Sequence, residues 1–195
     1  MIEVKNVHGD TLLRVDAENL IGEDISNTCL IEANLSDADL RAATLIGTNL
    51  SDAILRNANI AGADLTMCHL SDADLSGANL TGADLRASYL QGANLSGADL
   101  RAANLGGASL EKANLSDANL ECACLKNADF LNAVLVGANL SGADLFGANL
   151  SGANITRADF TRANLQGANL SGAIILGPMI LGSNIFDVTI DQVIS

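Results

Sequence analysis

Every fifth residue from Leu20 to Ile190 is Leu, Ile or Phe, and no insertion breaks that register. The 35 positions hold 26 Leu, 7 Ile and 2 Phe, the last being Phe130 and Phe160. Two residues before each, from position 28 to 173, Ala fills 26 of 30 places. A period of five advances about 140° per repeat on a helix, so the leucines would spiral round every side and leave no amphipathic face. In an extended chain, Ala and Leu two apart point the same way. The next Ala comes three residues later and reverses the parity. The chain must therefore turn once per pentad to keep both residues inside, which describes a β-solenoid.

The number of sides is also written in the chain. The four non-alanines among those 30 positions are Thr28, Thr48, Cys68 and Ser88, spaced by 20 each time. Twenty residues are four pentads, so one vertical column collects them if each coil is a square. The 35 pentads predict about 8–9 coils of 20 residues and a rod on the order of 40 Å long at the spacing of paired strands. Hydrophobic residues make up 49% of the chain but aromatics only 3%. That balance suits a narrow interior filled with small, regular side chains.

The residue before each Leu is usually Asn or Asp, as in Ala78-Asn79-Leu80-Thr81-Gly82 and Ala143-Asp144-Leu145-Phe146-Gly147. Asn or Asp there is predicted to bond the backbone at a corner, stacked Asn to form ladders, and Gly in the fifth place to permit a tight turn. The A-(D/N)-L-x-x pattern resembles the pentapeptide repeat family over roughly residues 18 to 192. The resemblance implies an all-β, right-handed quadrilateral β-helix. The long, loop-free style is similar to members abundant in cyanobacteria and other bacteria. Some members of the family protect or inhibit DNA gyrase and topoisomerase IV by imitating duplex DNA.

The ends depart from the pattern. Residues 1–17 read as two short strands around His8-Gly9-Asp10, a hairpin expected to cap the first coil. Glu18 and Glu23 stand in inward alanine places, so the first coil is expected to be irregular. Residues 18–178 form the repeat body, and 179–195 the last coil with a cap or dimerisation segment. Pro178 occupies an alanine place and cannot donate to a ladder. Ile174, Leu176, Met179, Leu181 and Phe186 fall at normally outward positions, where an apolar patch marks a contact. Two readings stay open: the last 15 residues fold over the final coil, or the patch is a homodimer interface.

Charge and composition exclude several functions. The net charge is −13, from 23 acids and 10 bases, which argues against direct nucleic-acid binding and plain membrane adhesion. Polar residues interrupt every apolar run, so a transmembrane helix is excluded. The opening Met1-Ile2-Glu3-Val4-Lys5 lacks the pattern of a signal peptide, and four cysteines without framework spacing suit a reducing cytoplasm. No residue is expected to be catalytic or to hold a metal or cofactor. His8 and His69 lie far apart on a rod, Cys122 and Cys124 flank a corner without a nearby His or second Cys pair, and the serines have no His and acid beside them. Aspartates alternate with arginines, as in Asp39/Arg41, Asp84/Arg86 and Asp99/Arg101, and read as solvated pairs.

One side stands out. In the column of Thr28 to Ser88, the residues before the leucines are Cys29, Asn49, His69, Tyr89, Ser109 and Asp129. The only Tyr of the chain is among them, and exposed aromatics anchor contacts. This column is the candidate partner-binding face, set against the simpler reading that one face has drifted. The sequence points to a non-catalytic, rigid acidic rod that binds a protein partner in the cytoplasm. The alternative is a DNA-mimicking modulator of a type II topoisomerase. Charge tempers that alternative: residues 1–64 carry −7, 65–130 carry −4 and 131–195 only −2. Thirteen charges over the rod is roughly one per 3 Å, against about one per 1.7 Å in DNA.

Overall fold

The computed structural model describes residues 1–189 of the chain. From Asp24 to Thr189 the backbone is one spiral, in which the residue before each inward Leu bridges, in parallel, the residue 20 positions on. Asn59 meets Asn79, Asn79 meets Asp99, and so on up the rod. Four extended steps per coil are what the 20-residue spacing of Thr28, Thr48, Cys68 and Ser88 requires. Each step is too short to count as a strand, so the sides are ladders of single bridges.

The bonding repeats pentad by pentad from Leu40 to Asn169. The Leu80 N–H donates one coil up to Asp99 O (2.7 Å), and Gly82 N–H to Arg101 O (2.9 Å). The Ala83 N–H closes the corner on Leu80 O (3.0 Å), and Asp84 N–H reaches one coil down to Ala63 O (2.9 Å). That corner has an i→i+3 bond and a left-handed third residue, Gly82 at φ 65°, which defines a type II turn. All 34 corners from Gly22 to Asp187 have positive φ there, and 18 of these residues are not glycine. Nine of the 18 are neither Asn nor Asp, Ala102 (φ 54°) and Arg157 (φ 57°) among them. Left-handed backbone costs such residues about 1–2 kcal/mol each. The ladder bonds on both sides of each corner hold them there.

One N–H per pentad is left, that of the residue just after the Leu. The Asn or Asp side chain takes it: Thr81 N–H donates to Asn79 Oδ1 (3.1 Å) and Ser96 N–H to Asn94 Oδ1 (3.2 Å). The same amides donate down the stack, Asn79 Nδ2 to Asn59 Oδ1 (3.1 Å) and Asn139 Nδ2 to Asn119 Oδ1 (3.1 Å). This is the physical reason for Asn and Asp before the Leu: only there does a short acceptor complete the pentad's donors.

The interior is a continuous column built mainly of Leu and Ala, buried from Leu40 to Ala173. Burying each Leu contributes roughly 1.5–3 kcal/mol. The inward hydroxyls spend their hydrogen on the backbone: Thr48 Oγ1 donates to Ile25 O (2.8 Å) and Ser88 Oγ to Leu85 O (2.7 Å). At the N-terminal end, strands β1 (Ile2–Lys5) and β2 (Thr11–Val15) form an antiparallel hairpin. It adds Val4 to the core and bonds the first coils through Val7 N–H to Glu32 O (3.1 Å) and Asn34 N–H to Lys5 O (2.8 Å). Leu20 and Ile25 are already buried in the first coil, while Glu18 is exposed and Glu23 half-buried.

At the other end, Leu181 to Thr189 continue the spiral, with Asn184 and Thr189 bridging Asn164 and Asn169. The expectation that the last 15 residues fold over the final coil is therefore corrected for this stretch. The ladder positions still pair there, so the chain is carried round rather than across. Residues 190–195, on which the rest of that expectation falls, lie outside the described residues.

Candidate functional site

The side built on Leu50, Leu70, Leu90 and Leu110 carries Cys29, Asn49, His69, Tyr89, Ser109 and Asp129 in one stack, each bridging the next. Because neighbours are one coil apart, flat side chains at adjacent levels meet face to face. The His69 and Tyr89 rings do so, with centroids 4.8 Å apart and planes 19° from parallel. Tyr89 is 44% exposed and His69 is exposed. At the corner before them Met67 is also exposed. At the corner after them, Gln91 ties the stack together: Ser71 Oγ donates to Gln91 Oε1 (3.2 Å), and Gln91 Nε2 to Ser109 Oγ (2.8 Å).

The sequence column identified the ring pair but missed Met67 and Gln91. Both stand in corner positions two residues from a singled-out residue, so shifting the 20-residue alignment to the corners would have found them. Cys29, at the foot of the column, is exposed and two coils below His69. Asp129, at the top, accepts Leu131 N–H (3.1 Å) and Asn149 Nδ2 (2.8 Å) on the same oxygen, Oδ1.

This face gives up bonds that the other faces keep. His69, Tyr89 and Ser109 are three successive coils without a corner Asn or Asp. Among the described residues the N–H groups of Ser71, Gln91 and Glu111 gain no side-chain acceptor from them. Elsewhere such departures occur singly, between coils that keep an Asn or Asp, as at Ile54, Cys124 and Val134. The next corner carries Glu32, Asp52 and Asp72 in one column, and of these Glu32 meets His8 Nε2 at 3.7 Å. The surface is therefore two stacked rings beside a run of carboxylates.

The acidic charge is partly cancelled by local pairs. Arg101 donates from Nε to Asp99 Oδ1 (2.8 Å) and from Nη2 to Asp99 Oδ2 (2.6 Å), and Arg86 grips Asp84 in the same way. Asp39 and Arg41 form a third such clasp. In each, the guanidinium bond holds the carboxyl below the usual aspartate range. Arg56 bonds Asp74 on the neighbouring coil.

Ile174, Leu176, Met179, Leu181 and Phe186 are all exposed, Leu181 at 77%. They do not form one flat patch. Ile174 and Met179 lie on adjacent sides, and Leu176, Leu181 and Phe186 on three successive corners, so together they ring the last coil. Inside this ring none of the described residues closes the end of the tube. Ile155, Phe160, Leu165, Leu170, Pro178 and Ile185 are among the residues lining a cavity of about 320 Å³, and the inward Ile180 is 53% exposed. Pro178 stands where other coils have a buried Ala whose N–H closes the corner, while the ladder bond beside it, Met179 N–H to Ala158 O (2.9 Å), is kept.

Among the described residues no group of three or more His, Cys, Asp or Glu could hold a metal ion, and no helix is long and apolar enough to cross a membrane. Cys122 is an exposed corner residue, Cys124 is half-buried on a flat side, and Cys68 is buried. Burial pushes the Cys68 thiol up to about 12.

Four-sided coils of 20 residues, an interior of Leu and Ala and a ladder of corner amides define a quadrilateral β-helix repeat protein. A family model described as pentapeptide repeats matches in 8 copies, over residues 33–72, 68–107, 93–132, 123–162 and 138–175. The chain belongs to the pentapeptide repeat family. No individually curated protein matches it. Among solved structures it is similar to HetL, a pentapeptide repeat protein involved in heterocyst differentiation regulation from the cyanobacterium Nostoc sp. strain PCC 7120. That match has 33% identity, covers 89% of this chain and 90% of HetL, and has a TM-score of 0.54. It is also similar to full-length QnrB1, a plasmid-mediated fluoroquinolone resistance protein, at 25% identity over 91% of this chain and 89% of QnrB1, with a TM-score of 0.71. The solenoid is the right-handed β-helix of these proteins.

Proposed function

We propose that this chain is a non-catalytic interaction module of the cytoplasm, a rigid acidic rod that binds a protein partner along the side bearing His69 and Tyr89. The observation that carries the reading is the loss of the corner Asn or Asp on three successive coils of one side. A stability-driven repeat would keep those acceptors, since each net hydrogen bond contributes about 0.5–1.5 kcal/mol. In their place stand an exposed ring pair and a hydroxyl braced by Gln91. The polar hollow among the described residues, about 440 Å³ lined by Glu121, Cys122, Ser141, Asp159, Thr161 and Arg162, is open to solvent and gives reacting groups no shelter from water. The test is affinity capture from the native host followed by mass spectrometry, run with the native chain and with a His69→Asn, Tyr89→Ala variant. A partner retained equally by both removes this face from the reading.

A second reading is favoured by the likeness to QnrB1 and by the net charge of −13: a DNA mimic that modulates a type II topoisomerase. The charge is concentrated in the first coils and partly clasped by arginines, and no loop projects from the rod among the described residues. A supercoiling assay decides it, and no effect of the protein on gyrase or topoisomerase IV at micromolar excess ends this reading. The ring of Ile174, Leu176, Met179, Leu181 and Phe186 round an open apolar mouth supports an end-on homodimer. Light scattering distinguishes a monomer from a dimer directly.

A further inference from the structure

We propose that the His69–Tyr89 stack is completed by the guanidinium of an arginine side chain from the protein partner, seated over Tyr89 at the level of Ser109 and capped by Asp129. This rests on reading that side as the binding face, and it names the chemistry the face selects.

The stack has one covered and one uncovered ring face. His69 occupies the lower face of Tyr89 at a centroid distance of 4.8 Å. The upper face turns toward the next coil, whose stack member is Ser109. Ser109 ends at a hydroxyl, and Gln91 Nε2 draws that hydroxyl to the corner at 2.8 Å. Gln91 is itself held by Ser71 at 3.2 Å, so the hydroxyl is kept to one side. A ledge one coil high is left above a ring that is 44% exposed. Coils are about 4.8 Å apart, which is the thickness a stacked planar group needs.

The roof of the ledge selects among planar groups. Asp129 sits one coil above Ser109. Its Oδ1 takes both the Leu131 N–H and Asn149 Nδ2, while among the described residues Oδ2 accepts no hydrogen bond. A guanidinium on the ledge has the Tyr89 ring below, the Ser109 hydroxyl as a lateral acceptor and the free Asp129 oxygen above. Guanidinium is flat, always charged, stacks on aromatic faces and donates in a fork. An ammonium has no plane to stack. A neutral aromatic ring would stack but bury the Asp129 carboxylate without a partner.

The corner beside the stack is acidic below the ledge. The adjacent corner column of Glu32, Asp52 and Asp72 attracts a basic segment. Three of the chain's own bases flank the ledge, and each is taken up by a carboxylate: Lys112 by Glu111 (2.9 Å), Arg86 by Asp84 (2.6 Å) and Lys126 by Asp144 (3.1 Å).

The whole chain titrated by NMR at low salt with N-acetyl-arginine methylamide, and with its lysine counterpart, tests the proposal. Saturating shifts of the Tyr89 ring protons and of the Ser109 and Asp129 amides are expected, with the ligand's δ-methylene moved upfield by the ring. Tyr89→Ala should weaken arginine binding roughly two- to thirtyfold, Tyr89→Phe should keep it, and Ser109→Phe should block it by filling the ledge. The proposal is overturned if lysine binds as well as arginine, if the shifts spread over Glu32, Asp52 and Asp72 instead, or if Tyr89→Ala leaves them unchanged. Arginine failing to localise while the His69→Asn, Tyr89→Ala variant still loses its captured partner would sink the ledge and spare the face. Arginine localising while that variant keeps the partner would sink the face and spare the ledge.

Discussion

The side-chain oxygen of Asn94 accepts the backbone N–H of Ser96 at 3.2 Å, closing the one donor its pentad leaves open. Asn114 Nδ2 also donates to that oxygen from the coil above, at 3.3 Å. Asn94→Ala should therefore destabilise the rod by about 1–2 kcal/mol. Cys124→Asn should do the opposite, because it sits between Asn104 and Asp144 in a ladder and its corner donor, Lys126 N–H, lacks such an acceptor. A gain of about 1 kcal/mol is expected. Urea melts of both variants check the pair, and equal midpoints would contradict the corner account.

Ala102 is held at φ 54° on an exposed corner. Ala102→Gly should stabilise by roughly 0.5–1 kcal/mol, the relief of left-handed strain exceeding the added freedom of the unfolded chain. At Gly77 the reverse holds, since a Cβ would lie 2.8 Å from Asn57 Oδ1. Gly77→Ala should cost more than Gly82→Ala, where a Cβ meets nothing within 4 Å. Thermal melts of the three variants give the order.

Phe130 and Leu80 are fully buried in the column. Phe130→Ala should cost about 3–5 kcal/mol and Leu80→Ala about 2–5 kcal/mol. Each coil touches only its neighbours, so amide exchange should speed up mainly within a coil or two of the site. Uniform loss of protection along the rod would refute that localisation.

Asp84 and Asp99 have carboxyls held low by their arginine clasps. A depressed folded value contributes stability that is present above the unfolded value, near 3.8, and is lost as pH falls through the folded one. An Asp84→Asn, Asp99→Asn variant keeps both corner acceptors but loses the charges. Its melting temperature should fall less steeply than that of the native chain as pH drops below about 4. Parallel curves would show that the clasps contribute nothing.

Cys68 is buried with its thiol pushed up to about 12, while Cys29 and Cys122 are exposed. Under native conditions at pH 8, iodoacetamide should label Cys29 and Cys122 first and leave Cys68 until the chain unfolds. Peptide mass mapping over time reads the order, and early labelling of Cys68 would place it outside the tube.

The unbroken leucine register and the 20-residue column from Thr28 to Ser88 made the four-sided tube legible before any coordinates, because a solenoid's contacts repeat along the chain. The Asn and Asp before each Leu likewise announced the corner bonds seen at Thr81 and Ser96. The column of Cys29 to Asp129 was legible as an oddity but not as a site. Whether His69 and Tyr89 stack depends on side-chain rotamers, and whether Gln91 reaches Ser109 depends on the angle at which one coil sits over the next. Neither quantity has a period in the sequence.

The sequence by itself determined which residues face inward, how many sides the tube has and which donors each pentad must satisfy. Those follow from the parity of an extended chain and the need to bury Leu and Ala together. Only the tertiary structure decided that 18 corner residues other than glycine would stand left-handed, since ladder bonds from two other coils impose that cost. It also spread Ile174 to Phe186 round the end of the tube instead of over one patch, because every corner turns the next outward residue to a new side.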